Sequence, residues 1–357
     1  MPASNAIQSK VTSSKSRTVT FRDATDRAAW DAFVTSDPTA NFLQSWDFYE
    51  FHLSRGKQVV RRLALDDSGK LLAAYAGVVE TAKRGTYLAI AGGPLLDWTD
   101  KPLIKKVFAD IKEQGTIHHC TFVRVRPQLE LSENSLRLMS SLGLRKAPMY
   151  LSVEYAGILD LHQSEAEILK NASQGFRRKL RKAEKSDIKI EVSAADSAIA
   201  AFCDLETLHA KRQSYVPFSR SFLEKQFAAF KKHNEVLIYT ATKDNEILAM
   251  NFMIFYGPEA SYHYGVSSEL GTKYSAAPLL HLKAMAEARD RGIFRYNLWG
   301  IVDQDDTSHR FFGVSEFKRS FGCQELKYTP AHDLVLSPLK YQLTKVVETT
   351  RKKIRKV

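Results

Sequence analysis

One order of elements occurs twice in this chain, and it limits the fold more than any single motif does. Leu63-Ala64-Leu65, the polar turn Ser68-Gly69-Lys70 and Leu71-Leu72-Ala73-Ala74 read as strand, turn and strand, with Gly69 supplying the turn conformation. Tyr239-Thr240-Ala241, Asp244-Asn245-Glu246 and Ile247-Leu248-Ala249-Met250 repeat that pattern in the second half. In each half a tyrosine-bearing third strand follows, Thr86-Tyr87-Leu88 and Tyr262-His263-Tyr264. Next comes an amphipathic helix, near Lys101 to Gln114 and from Ala276 to Arg291, and then a strand, Thr121 to Arg126 stopped by Pro127 and Phe294 to Trp299. Antiparallel strands followed by helix and strand predict an α/β fold with a sheet open enough to hold a ligand. The shared order favours duplication, with a junction near Val153 to Leu161.

A length of 357 residues suits two domains, each able to bury its own core. The expected division is a disordered arm at residues 1–17, a first domain at 18–153, a second at 154–335 and a basic C-terminal helix at 336–357. Lys and Arg number 52 against 40 Asp and Glu, a formal charge of +12, so nucleic acid, nucleotide-linked substrates and anionic lipid are the partner classes to consider. Cys120, Cys203 and Cys323 have no zinc or redox spacing, which points to a reducing compartment. No apolar run approaches the roughly 18 residues that span a bilayer, and the N-terminus lacks the apolar stretch of a secretory signal, so the expected location is the cytoplasm. His118-His119-Cys120 has no second ligand cluster at suitable spacing and reads as the start of a strand, so no metal is assigned.

Domains of this order occur in the acetyltransferase superfamily, where a Gly-rich loop before the helix cradles the pyrophosphate of coenzyme A on backbone N–H groups. Here the segment from Gly265 to Ser275 lacks closely spaced glycines and carries Glu269, so an acyl-coenzyme A donor is disfavoured and no cofactor is expected. The chain resembles the Fem peptidyltransferase family through Asn41-Phe42-Leu43-Gln44-Ser45-Trp46, Gly92-Gly93-Pro94, Arg124 to Pro127, Tyr262-His263-Tyr264-Gly265, Trp299-Gly300-Ile301 and, most sharply, Glu316-Phe317-Lys318-Arg319-Ser320-Phe321-Gly322. The likeness runs from about Phe42 to Lys340.

That resemblance implies two tandem acetyltransferase-like (GNAT-like) domains, in the form without a coiled-coil arm because no sustained heptads are present. It implies an aminoacyltransferase that uses aminoacyl-tRNA to extend the stem peptide of a peptidoglycan precursor, with a monomer as the default state. It makes Phe317 and Lys318 the acceptor-end and catalytic pair. An aminoacyl ester is already activated, so the enzyme must align the acceptor amine and stabilise the developing oxyanion rather than supply a nucleophile. Tyr264 matches a precursor-contacting position, Arg220 falls beside a family arginine after a small alignment shift, and Arg212 is a second candidate for a precursor phosphate. Where the family has a precursor-binding lysine, this chain has His52, which leaves open whether the acceptor is nucleotide-linked or lipid-linked.

The run from Gly175 to Lys185 places Phe176, Leu180 and Ala183 on one helical face and leaves Arg177, Arg178, Lys179, Arg181, Lys182 and Lys185 on the others. Such a helix fits phosphates of a tRNA acceptor stem or an anionic lipid surface, and the family resemblance favours RNA. The basic end from Arg351 to Lys356 suits the negative pole of its own helix, with membrane contact as the other reading. Two rivals stand beside the transferase: an N-acyltransferase of the same superfold acting on another cell-envelope product, and a noncatalytic RNA-binding module.

Overall fold

Both predicted hairpins form, each for a reason written in its turn. In the computed structural model, which describes residues 18–82, 85–213 and 215–355, the first closes where the Gly69 N–H bonds the Asp66 carbonyl with Gly69 at φ +82°. The second turns on Asp244 and Asn245, both at positive φ, which Asp and Asn tolerate better than other side chains. The expected arm at 1–17 lies outside the described residues.

The first half supplies β1 (Thr20–Asp23), the hairpin β2 (Gln58–Leu65) and β3 (Leu71–Ala82), then β4 (Gly85–Gly92), the short β5 (Leu95–Leu96), β6 (Phe122–Pro127) and β7 (Arg145–Lys146). The second supplies β8 (Tyr155–Asp160), β9 (Lys189–Ser193), the hairpin β10 (Val236–Lys243) and β11 (Glu246–Tyr256), then β12 (Glu259–Ser267), β13 (Arg295–Gly300), β14 (Gln324–Lys327) and β15 (His332–Val335). In each half three antiparallel strands precede a helix, Lys101–Ile117 or Ala277–Asp290, which returns the chain to a parallel strand: β6 beside β4, and β13 beside β12. His118 caps the first of these helices and His119 has φ +53°, so the histidine pair lies in the turn before β6 rather than beginning the strand.

The first sheet is completed by a strand from the second half. The first runs β1-β2-β3-β4-β6-β15-β7, with β5 on β3, and the second runs β9-β10-β11-β12-β13-β8-β14. Strand β15, expected to close the second domain at residue 335, instead lies between β6 and β7 of the first sheet. The helix Pro338–Arg355 follows it there: buried Arg124 on β6 donates two hydrogen bonds to Asp333 at 2.7 and 2.9 Å and another to Glu348 of that helix at 2.8 Å. Tyr341 donates to Asp333 at 2.9 Å. The terminal helix is therefore part of the first domain's sheet layer, because a buried arginine with two carboxylates leaves neither charge unpaired.

A third joint is apolar. One continuous core takes Trp30, Phe42 and Tyr49 from the first half and Phe202, Phe227 and Phe252 from the second, while two further clusters lie one within each half. No described helix exceeds the 18 residues of Asp196–Gln213 and Pro338–Arg355, too short for a coiled-coil arm.

Candidate active site

The halves differ at one place that creates a site. In the first sheet β4 pairs with β6 from Tyr87↔Phe122 to Gly92↔Pro127 without a break. In the second, β12 pairs with β13 only from Glu259↔Arg295 to Ser261↔Asn297, although β12 continues to Ser267 and β13 to Gly300. The strands part because the end of β13 is bonded elsewhere. Trp299 turns to φ +65° with its N–H on Asn297 Oδ1, Ile301 N–H bonds the Tyr155 carbonyl of β8, and Val302 N–H bonds Ser315 Oγ on the helix Phe312–Arg319. Opposite, β12 slips register between Tyr262 and Tyr264, leaving His263 as a bulge. The result is a wedge between Tyr262, His263 and Tyr264 on one side and Trp299 and Gly300 on the other.

Lys318 sits at this wedge. Its Nζ donates to the Gly300 carbonyl at 2.8 Å and lies 5.7 Å from the centre of the Tyr262 ring. Only 7% of the residue is exposed, and burial pulls its ammonium down to about 7. Around it stand Phe317, Phe321, Tyr262 and His281, the imidazole 4.5 Å from the Tyr262 ring and 5.7 Å from Phe317. His281 is fully buried with Nδ1 2.8 Å from the Tyr296 hydroxyl, and burial together with the Lys318 charge holds it neutral, down to about 3. Gly265 explains the tyrosine's position: a Cβ there would lie 1.6 Å from the Tyr262 hydroxyl.

The first half plugs the wedge from the other side. Phe42 packs 4.7 Å from His263 and 4.9 Å from Trp299. It is held by the capping box of Asn41 and Gln44, and Gln44 Nε2 also donates to the Gly92 carbonyl at 2.5 Å. Gly92 has φ +76° and any Cβ would overlap Gln44, so the Gln44 motif and the Gly92 motif are two sides of one contact.

The remaining sequence candidates fall into three groups. Tyr264 lies beside the wedge, half-buried, with Phe218 at 5.6 Å and Phe252 at 5.7 Å. Phe218 leads through Phe222, 4.4 Å away, to Arg55, whose guanidinium stacks 4.6 Å over Phe222. His52 belongs to this aromatic run, between Phe48 and Phe51, with Nδ1 3.4 Å from Arg55. Burial and then the charges of Arg55 and Lys57 push His52 down to about 3, so its neighbours make it less basic and the fixed cation here is Arg55. Sequence reasoning passed over Arg55, although it stands one turn after His52 at a helix C-cap.

Two arginines are tied down instead. Arg212 donates to the Ser267 carbonyl at 2.6 Å, fixing the far end of β12. Arg220 pairs with Asp204 and Glu224 across two helices. Arg220 meets two carboxylates at the surface, whereas Arg212 meets only neutral acceptors and has no carboxylate partner among the described residues.

The basic helix forms as expected over Gln174–Glu184, with Phe176, Leu180 and Ala183 buried. Arg177 points back and donates to the carbonyls of Leu169, Lys170 and Ala172, capping the preceding helix, so it belongs to the fold. Lys182 donates to the Lys273 carbonyl at 2.5 Å, whereas Arg178, Lys179 and Arg181 are exposed without a side-chain partner among the described residues. The helix is joined to the wedge: Ser173, its N-cap, donates its N–H to the Ser320 carbonyl at 2.9 Å, and Phe176 packs 4.3 Å from Phe321. His281 was the other residue missed, and its signal was a histidine in the apolar stripe of Leu280, Ala284, Met285 and Ala288.

Comparison with known proteins gives the family and the fold. The FemAB family model matches residues 25–141 and 220–349, more than half of the chain. The aminoacyltransferase FemA of Staphylococcus aureus strain MRSA252 is 19% identical over 83% of this chain and 91% of its own length. The crystal structure of FemX superimposes with a TM-score of 0.83 at 16% identity, covering 91% of this chain and 100% of that one. A tandem GNAT protein from the clavulanic acid biosynthesis pathway superimposes with a TM-score of 0.55 at 10% identity over 89% of this chain and 98% of that one, the likeness of fold that two GNAT-like domains produce. The chain belongs to the FemAB family.

Proposed function

We propose that this FemAB-family aminoacyltransferase moves an amino acid from aminoacyl-tRNA to the stem-peptide amine of a peptidoglycan precursor, working as a monomer on the cytoplasmic side. The observation that carries the reading is Lys318, buried at the opening between β12 and β13, in a helix whose end is bonded to the cap of the basic helix. The acceptor amine attacks the ester carbonyl, negative charge gathers on its oxygen, and the intermediate collapses by breaking the C–O bond to the ribose, whose oxygen takes up the proton that the amine nitrogen gives up. The Lys318 ammonium stabilises that oxygen, while Phe317 and His281 hold the lysine stem in a dry aromatic surround, where a charge acts more strongly than in water. Arg178 and Arg181, with Lys182 beside them, take phosphates of the acceptor stem. Tyr264 and Arg55, with neutral His52 packed beneath, line the path of the precursor.

Purified protein supplied with labelled aminoacyl-tRNA and precursor tests this. Label should enter the precursor, ribonuclease should stop it, and Lys318→Ala should lower kcat by about a hundredfold or more. Transfer that survives ribonuclease would favour the carrier-dependent N-acyltransferase, and an unaltered rate in the lysine variant would remove its assigned role.

A further inference from the structure

The terminal helix Pro338–Arg355 is amphipathic the wrong way round for a helix lying on a soluble domain. Its inward face is polar: Tyr341, Thr344 and Glu348 are buried, with Tyr341 and Glu348 bonded to the Asp333 and Arg124 pair. Its outward face carries Leu339, Leu343, Val346 and Val347, exposed by 86, 72, 65 and 37%. At about 100° per residue these four side chains fall within one arc of about 100°. Four large aliphatic groups in a row, facing away from the protein they belong to, require a partner that is apolar.

Charge identifies the partner. Lys340 borders the stripe on one side, and Arg351-Lys352-Lys353-Ile354-Arg355-Lys356 follows it in sequence. The one carboxylate of the segment, Glu348, is turned inward and paired. An aliphatic stripe bordered by cations matches the boundary between acyl chains and anionic headgroups, where apolar side chains insert and lysines reach outward to phosphate. Nucleic acid would use the cations and leave the leucines and valines in water. We propose that this helix lies in the surface of an anionic lipid bilayer and docks the whole protein there, with Arg124, Asp333 and Glu348 as the rigid mount. The docking would deepen the transferase reading, placing a lipid-linked acceptor within reach, but its test does not use that reading.

Co-sedimentation of the full chain with phosphatidylglycerol-rich vesicles and with pure phosphatidylcholine vesicles at physiological salt decides it. The wild type should pellet with the anionic vesicles and far less with the neutral ones. Leu343→Glu combined with Val346→Glu should weaken that binding by about tenfold or more while the thermal transition stays unchanged. A Leu343→Trp variant adds a second reading, its emission after subtraction of the wild type's four tryptophans shifting to the blue on anionic vesicles. Failure of the wild type to bind, equal binding by the double variant, or no shift of the tryptophan would overturn the proposal. So would a concentration-dependent dimer, or tRNA binding, that the double variant abolishes while vesicle binding persists.

Discussion

At the scale of single residues, the proposed chemistry turns on a lysine kept where a lysine is uncomfortable. Burial lowers the folded pKa of Lys318 below that of a lysine in the unfolded chain, so protonation opposes folding. The penalty is full below about pH 7 and fades as pH rises toward the ordinary lysine value near about 10.4. Lys318→Met should therefore abolish transfer yet raise Tm by about 2 °C or more near about pH 6, with the gain shrinking toward about pH 10 in thermal scans. If the ammonium is the working form, kcat/KM should fall as pH rises through about 7, the value set by burial, and a rate that climbs through that range instead would show the neutral amine acting as a base. The lysine itself was legible in the sequence because Glu316 to Gly322 carries the family's pattern. Its surroundings were not, because His281 and Tyr262 reach it from other elements and His281 reads in sequence as one more core position of a helix.

At the scale of elements, the basic helix shows what charge counting misses. Six cations are written in one run, but Arg177 caps a neighbouring helix and Lys182 bonds a carbonyl, and a sequence does not say which basic groups meet backbone oxygen. Arg178→Glu with Arg181→Glu should raise the KM for aminoacyl-tRNA and reduce the slope of log affinity against log salt by about two, measured by filter binding across a salt series. Arg177→Ala should leave that slope nearly unchanged and lower Tm instead. The hairpins were readable for the opposite reason: turn residues and strand alternation are local, and Gly69, Asp244 and Asn245 sit where positive φ is needed.

At the scale of the whole molecule, the two halves are less separable than their repeated order suggests. Strand β15 from the chain's end completes the first sheet, and Phe42 carries the first half into the wedge of the second. Short strands such as His332–Val335 do not announce their partners, so a boundary drawn at residue 335 followed the order of the chain and missed that β15 joins the first sheet. Expressed alone, residues 18–153 lack β15 and leave Arg124 buried without its carboxylates, so they should show no cooperative thermal transition, whereas the full chain should melt as one unit. Within the full chain, Arg124→Ala strands buried Asp333 and should lower stability by about 3–5 kcal/mol in denaturant titration. The most direct test of the account remains the reaction itself: wild type and Lys318→Ala, each with labelled aminoacyl-tRNA and precursor, with and without ribonuclease. Ribonuclease-sensitive label on the precursor that the variant fails to add is the predicted result; label that resists ribonuclease, or that the variant adds at the wild-type rate, would contradict it.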